Sequence, residues 1–362
     1  MSNRREFLSG GLASTVALAS LPFSNVFLNF AQAASASPYT VPLSFGLGGV
    51  AIGNAVKVTS DEEAKGALEA AWKSGARYFD TSPFYGFGLS EQRFGHFLDD
   101  KKREDYILST KVGRVFYPSS NPRKTMWKEP SKFDYKYDYS ASGTRRSIED
   151  SLMRLGIQSI DVVFIHDLSP DNKDLGKDWL KHFEVASLGA MKELSKMRSE
   201  GIIKGWGLGV NEIDPILKTL DVADPDTFLS ANQYSLLKHE DALNRLFPAC
   251  EKRNIKLVIG TPLNAGCLAG RERFNWDGKF PEEMKEKRKQ MSEVCKNHKV
   301  DLRTAALQFA LAPKVVSSII PGARTQEQAT ENADSMKVKI PESFWKELKE
   351  KKLIAGNAPI PK

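Results

Sequence analysis

The octapeptide "SIDVVFIH", Ser159–His166, holds four apolar residues in succession, Val162 to Ile165. A strand with one wet face alternates apolar and polar residues. This one does not, as expected of a parallel strand covered on both sides. Before it, "SASGTRRSIEDSLMRLG" places Ile148, Leu152 and Leu155 on one helical face. After it, "LGAMKELSKMRSEG" reads as a helix closed by Gly201. The alternation continues outward. Toward the N-terminus, "YILSTKV", "RYFD" and "LSFGLGGVAI" read as strands separated by helical runs, among them "SDEEAKGALEAAWKSGA" with Ser60 as its N-cap. Toward the C-terminus, "IKGWGLGV", "TFLSANQYS", "IKLVIGTPL" and "VVSSIIPGA" each precede a helical run. Eight β-then-α units result, which implies an α/β chain with a closed (β/α)8 barrel, the TIM barrel, as a single domain over residues 37–362. "GLGGVAIG" is glycine-rich but opens no helix, so a doubly wound dinucleotide fold does not follow.

In such a barrel the active site lies where strands end and loops begin. The polar residues at those ends are therefore the candidates. They are Asp80 with Tyr85 after the second strand, Lys111 at the third, His166 at the fourth, Asn211 at the fifth, Asn232 and Gln233 at the sixth, and Asn264 at the seventh. A carboxylate such as Asp80 at a buried strand end needs a partner, because desolvation costs several kcal/mol. Lys111 is the natural one. A tyrosine hydroxyl, with an ordinary pKa near ~10, exchanges protons poorly at neutral pH, and a nearby ammonium would lower that value. Neutral His166 could orient a reacting oxygen. Together these groups suit hydride transfer coupled to proton transfer, with general acid–base action worth ~10²–10⁴ in rate. The sequence shows no metal-ligand cluster and no second strand-end carboxylate pair, which argues against a hydrolase.

The motifs "FDTSPFYGFGLSE", "LSTKVGR", "RLGIQSIDVVFIHD", "GWGLGVNE", "ANQY" and "IPGARTQEQATEN" resemble the aldo-keto reductase superfamily over residues 44–336. "FYGFGLSEQRFG" and "GLGVNE" resemble its D-threo-aldose (L-fucose or galactose) 1-dehydrogenase and pyridoxal dehydrogenase branch. The resemblance implies a (β/α)8 barrel and an NAD(P)-dependent oxidoreductase acting on an aldose or small aldehyde or ketone. It also implies a catalytic Asp80, Tyr85, Lys111, His166 tetrad with Tyr85 as acid/base. Members hold the nicotinamide amide with a Ser-Asn pair and a Gln, to which Asn211 and Gln233 correspond, with Glu212 departing from the pattern. Many NADP-dependent members carry Lys-Ser and a later Arg after the last strand. Here Gly322, Ala323 and Gln328 stand there, Arg324 is the substitute charge that favours NADP over NAD, and Gln328 and Asn332 match adenosine-contacting positions. A non-catalytic redox-sensing subunit on the same barrel is the alternative from another class.

Residues 113–140, "GRVFYPSSNPRKTMWKEPSKFDYKYDYS", form the longest irregular stretch. Its aromatic residues suggest a lid over the barrel mouth, with Phe116 and Trp127 as substrate contacts. At the N-terminus, Arg4 and Arg5 precede an uncharged run from Phe7 to Ala36 that ends in small residues. That pattern resembles a twin-arginine export signal over residues 1–36, cut after Ala33 or Ala36. It implies contact with the twin-arginine machinery and a periplasmic or otherwise exported protein, the alternative being cytoplasmic. A folded barrel could carry its cofactor across with it. Net charge is +7, but the basic residues are scattered, so nucleic acid is not an expected partner. Cys250, Cys267 and Cys295 are odd in number and widely spaced, which reads as free thiols.

Overall fold

The uninterrupted apolar run of Val162–His166, strand β6, is buried on both faces in the computed structural model. Val162 and Phe164 point into the barrel with Tyr78, Ile107, Leu229, Val258 and Ile320. Val163 and Ile165 point outward into the layer beneath the helices. Each such fully buried side chain contributes about 1.5–3 kcal/mol. The structure describes residues 37–361 except 277. The export-signal reading of residues 1–36 lies outside the described residues.

The remaining barrel strands are β1 (Gly46–Gly48), β2 (Tyr78–Asp80), β3 (Ile107–Val112), β7 (Gly205–Val210), β8 (Thr227–Ala231), β9 (Lys256–Gly260) and β10 (Val316–Ile320). All pair in parallel in the order β1-β2-β3-β6-β7-β8-β9-β10. Parallel bridges Phe45↔Ile319 and Gly48↔Gly322 bring the last strand to the first. The eight-unit reading and the single-domain barrel are thus present in the structure. Around it lie α1 (Asp61–Lys73), α2 (Leu89–Leu98), α3 (Ala141–Leu155), α4 (Trp179–Leu188), α5 (Ala190–Ser199), α6 (Ile213–Val222), α7 (Phe247–Lys252), α8 (Glu282–His298), α9 (Leu302–Leu311), α10 (Gln326–Ser335) and α11 (Glu342–Glu350). Ser60 caps α1 in a full capping box with Glu63.

Several local readings are corrected. The first strand is only three residues long, because the chain turns at Gly49, whose N–H donates to the Asp80 carbonyl (2.7 Å). Helix α4 is absent from the sequence reading, since Leu180, Val185 and Leu188 are exposed and blur its amphipathic pattern. His239 is fully buried. Its Nδ1 contacts the Ser235 carbonyl (3.0 Å) and its Nε2 accepts the Ala355 N–H (3.0 Å), tying down the C-terminal segment. The three cysteines are free and buried.

The long 113–140 stretch is also more regular than its composition suggests. Arg114–Pro118 (β4) and Phe133–Tyr137 (β5) form an antiparallel hairpin with Phe116 opposite Tyr135. Gly113, at φ +111°, makes the turn from β3 into β4, and a Cβ there would sit 2.5 Å from the Tyr139 ring. Phe116, Trp127 and Tyr135 pack with Ala55, Tyr85 and Phe87 into a separate aromatic cluster.

Candidate active site

The parallel register places the site. Asp80 pairs with Ser109 in the β2–β3 ladder, so Ser109 and Lys111, two residues apart, share the face that Asp80 presents. Ser109 Oγ donates to Asp80 Oδ1 (2.7 Å) and Lys111 Nζ to Asp80 Oδ2 (2.7 Å). Lys111 also donates to the Thr81 carbonyl (2.8 Å). Gly209 on β7 lies beside the lysine stem, where a Cβ would sit 3.5 Å from Lys111 Cε. Burial pushes the Asp80 carboxyl up and the Lys111 ammonium down, and each charge opposes the other's shift.

Tyr85 lies in the β2–α2 loop, with Lys111 Nζ 4.7 Å from its ring centroid and the His166 ring at 5.7 Å. The expected downward shift of the Tyr85 hydroxyl has the opposite sign. Burial, then the charges of Asp80 and Asp167, hold it well above the ordinary tyrosine value. The physical reason is that burial strips water from the phenolate and the two carboxylates repel it, while Arg114 opposes the shift only in part. The hydroxyl is therefore protonated at neutral pH. His166, at the end of β6, is held well below the ordinary histidine range by burial, then by Arg114 and Lys111, and is neutral.

Asp80, Tyr85, Lys111 and His166 converge on one cavity of about 350 Å³. Asn211, Gly322, Arg324, Gln328, Asn332 and Trp127 also line it, whereas Gln233, Asn264 and Phe116 do not. Gln233 Nε2 is spent on the Asn211 carbonyl, so it sits behind Asn211 rather than in the wall. Asn264 is buried, donating to Asn275 Oδ1 (2.9 Å). Phe116 belongs to the aromatic cluster below the cavity wall. The Arg324 guanidinium is largely committed. Its Nη groups donate to the Ala55 carbonyl (2.8 Å), the Lys57 carbonyl (2.7 Å) and Thr59 Oγ1. It thereby holds the β1–α1 loop across the cavity, where Ala55 bridges Trp127 and the Val56 N–H donates to the Met126 carbonyl (2.9 Å).

Sequence reasoning missed Arg271, Arg273 and Trp276, which reach the cavity from the loop after β9. The signal was present as two arginines after Gly270 in "GRERFNW". It also missed Phe84 and Asp167 in the wall, and Arg114, whose Nη2 donates to Asp167 Oδ2 (2.9 Å) and Tyr137 Oη (3.0 Å). A nicotinamide dinucleotide fits the residues present. Arg273 Nε and Arg324 Nε are buried without an acceptor among the described residues, as donors awaiting an anion in the cavity would be. The N-terminal half of α10 adds Gln328 there, and a helix start suits phosphate.

The sequence profile of the aldo/keto reductase family matches residues 44–353, and the chain belongs to that family. It is an NAD(P)-dependent oxidoreductase. Among its relatives, the D-threo-aldose 1-dehydrogenase of a Pseudomonas species is 35% identical over 333 residues, covering 89% of this chain and 97% of that one. The pyridoxal 4-dehydrogenase of Microbacterium luteolum is 35% identical over 328 residues, covering 86% of this chain and 94% of that one. The solved aldo-keto reductase of Bacillus halodurans shares the fold, with a TM-score of 0.65 at 22% identity, over 90% of this chain and 98% of that one.

Proposed function

We propose that the protein interconverts an aldose and its C1-oxidised product, or a related small carbonyl compound, with Tyr85 moving the proton. The observation that carries this reading is the convergence of Tyr85, His166 and the Lys111–Asp80 pair on one cavity. A bound nicotinamide supplies the hydride acceptor or donor. Tyr85, protonated at rest, gives its proton to a carbonyl oxygen in reduction. In oxidation it must first lose that proton and then takes one from the C1 hydroxyl. His166 holds the same oxygen. Lys111 and Asp80 fix the Tyr85 ring from below. Phe84 and Trp127, with ring centroids 5.3 Å apart, form an apolar wall that suits one face of a sugar and excludes water. The test is turnover by purified protein with NAD and NADP against aldoses, small aldehydes and pyridoxal. Turnover of aldoses supports the reading, and no turnover of any of them would refute it. Pyridoxal is the second reading, favoured by the aromatic side chains of the wall and by a relative of equal identity.

The wall gives separate expectations for the two lid residues. Trp127→Ala should raise KM for the sugar with little change in cofactor affinity. Phe116→Ala, in the cluster beneath, should instead destabilise the hairpin and with it the fold, by about 3–5 kcal/mol in denaturant unfolding.

NADP is the preferred cofactor on this reading. Arg324 is mostly tied to the β1–α1 loop, so Arg271 and Arg273 supply most of the free positive charge. A charge-assisted hydrogen bond is worth about 1.5–3 kcal/mol, so Arg273→Ala should raise KM for NADP roughly tenfold or more. KM for NAD should change far less. Equal effects on both cofactors would remove the argument for NADP.

Export by the twin-arginine route is proposed from Arg4, Arg5 and the uncharged run behind them. Fractionation should find a protein beginning near Ala34 or Ser37 outside the inner membrane, and replacing both arginines by lysine should keep it inside. The loop that Arg324 holds across the cavity supports cofactor retention during export.

A further inference from the structure

The imidazole of His166 is held from behind by two donors. Arg114 Nη1 lies 3.4 Å from His166 Nδ1, and a guanidinium nitrogen can only donate. Ser82 Oγ lies 3.1 Å from the same nitrogen. That oxygen also accepts the Phe84 N–H (3.1 Å), and its own hydrogen is free to point at Nδ1. The guanidinium, which cannot accept, requires a lone pair there, and the Ser82 hydroxyl can donate to the same lone pair. In a neutral ring the hydrogen is then on Nε2, which lies on the side of Asp167 Oδ1 (3.5 Å) and the cavity.

Arg114 is itself rigidly placed. It is buried at the start of β4, its guanidinium lies 4.0 Å from the Phe84 ring centroid, and its Nη2 is spent on Asp167 and Tyr137. The backbone behind the ring is anchored too, since Tyr139 Oη donates to the His166 carbonyl (3.3 Å). We propose that Arg114 and Ser82 are positioning residues that lock His166 in the neutral Nε2–H tautomer, so that it presents a hydrogen-bond donor to the reacting oxygen. This rests on the reading of His166 as the group that holds that oxygen.

The arrangement also opposes protonation of His166. A hydrogen on Nδ1 would point at the Arg114 guanidinium. The charged and titratable groups around the ring are Arg114 from β4, Lys111 from β3, Asp80 from β2, Tyr85 from the β2–α2 loop and Asp167 after β6. Arg114 and Lys111 act against a positive imidazolium, and burial acts in the same direction. Of the two anions, Asp167 is already engaged by Arg114 and Asp80 by Lys111.

The test is nitrogen-15 NMR of the full-length protein labelled at histidine, with His166→Gln to assign the resonance. In the wild type, His166 should show a protonated Nε2 and an unprotonated Nδ1 from pH 8 down to about 5.5, a unit below the ordinary histidine value. An Nδ1–H tautomer, or a charged ring at pH 7, would overturn the proposal whatever the variants do. Ser82→Ala removes one donor with little disturbance, and Arg114→Met removes the other. Each should weaken the tautomer preference, and Arg114→Met should raise the titration midpoint by about one unit or more. Arg114→Lys, keeping a positive donor, should return part of that shift. The acid limb of kcat/KM, measured with L-fucose, should move up with the NMR midpoint. Lost activity with an unmoved midpoint and tautomer would mean that Arg114 only supports the fold. Tyr85→Phe tests the underlying reading separately, because its failure would leave the His166 resonances unchanged.

Discussion

Tyr85→Phe should lower kcat by at least ~10² while leaving the fold intact, because it removes only the hydroxyl proposed to move the proton. The ring stays, so its packing against Trp127 and His166 stays (centroids at 5.5 and 5.7 Å). Cofactor affinity should change little, and KM less than kcat. Wild-type turnover in this variant would end the assignment. The direction of the Tyr85 shift adds a pH signature. A hydroxyl held above the ordinary tyrosine value is protonated across the neutral range. Carbonyl reduction, which needs the protonated form, should be flat through neutral pH and fall only in strong alkali. Oxidation needs the proton gone, so its rate should climb with pH over the same interval. Steady-state rates in both directions across pH 6–10 read this out: reduction should stay level while oxidation rises.

Lys111→Met should both cripple catalysis and destabilise the protein by about 3–5 kcal/mol, since it leaves Asp80 as a buried carboxylate without its counter-ion. Asp80 and Lys111 are both almost wholly buried, at 1% exposure each. Ser109 Oγ still donates to Asp80 Oδ1, but a neutral donor does not balance a charge in the barrel interior. Part of the penalty is avoided if Asp80 takes up a proton, the direction in which burial already drives it. The variant should therefore be less destabilised at acid pH than at neutral pH. Urea unfolding gives the free energy, and the double variant Lys111→Met with Asp80→Asn separates the two effects. It should recover much of the stability, because the uncompensated charge is gone, and none of the activity. If the double variant were as unstable as the single one, packing rather than charge would be the cause.

What the sequence determined by itself is the architecture and the address of the site. Four unbroken apolar residues in β6 are legible as a strand buried on both faces, since burial on two sides forbids a polar alternation. Once eight such runs alternate with amphipathic helices, the barrel follows, and the barrel rule sends Asp80, Lys111 and His166 to one rim. The pairing of Asp80 with Lys111 was also legible, because a buried carboxylate at a strand end has to find a cation. Only the tertiary structure decided the rest. The sign of the Tyr85 shift depends on how deeply its hydroxyl is buried and on the Asp80 and Asp167 charges brought beside it, which only the closed barrel decides. Whether Gln233 meets the cavity or backs Asn211 is a question of rotamer and reach that strand position does not answer. Arg324 reads as a free charge in the chain, yet three acceptors from a loop more than 260 positions away claim most of its donors. Arg271 and Arg273 show the converse, two loop arginines whose local signal, a basic pair after Gly270, gains meaning only once the fold carries them to the cavity. Local pattern determines which faces are buried. The charge state and the facing of a polar group depend on partners distant in sequence, and those exist only once the barrel has closed.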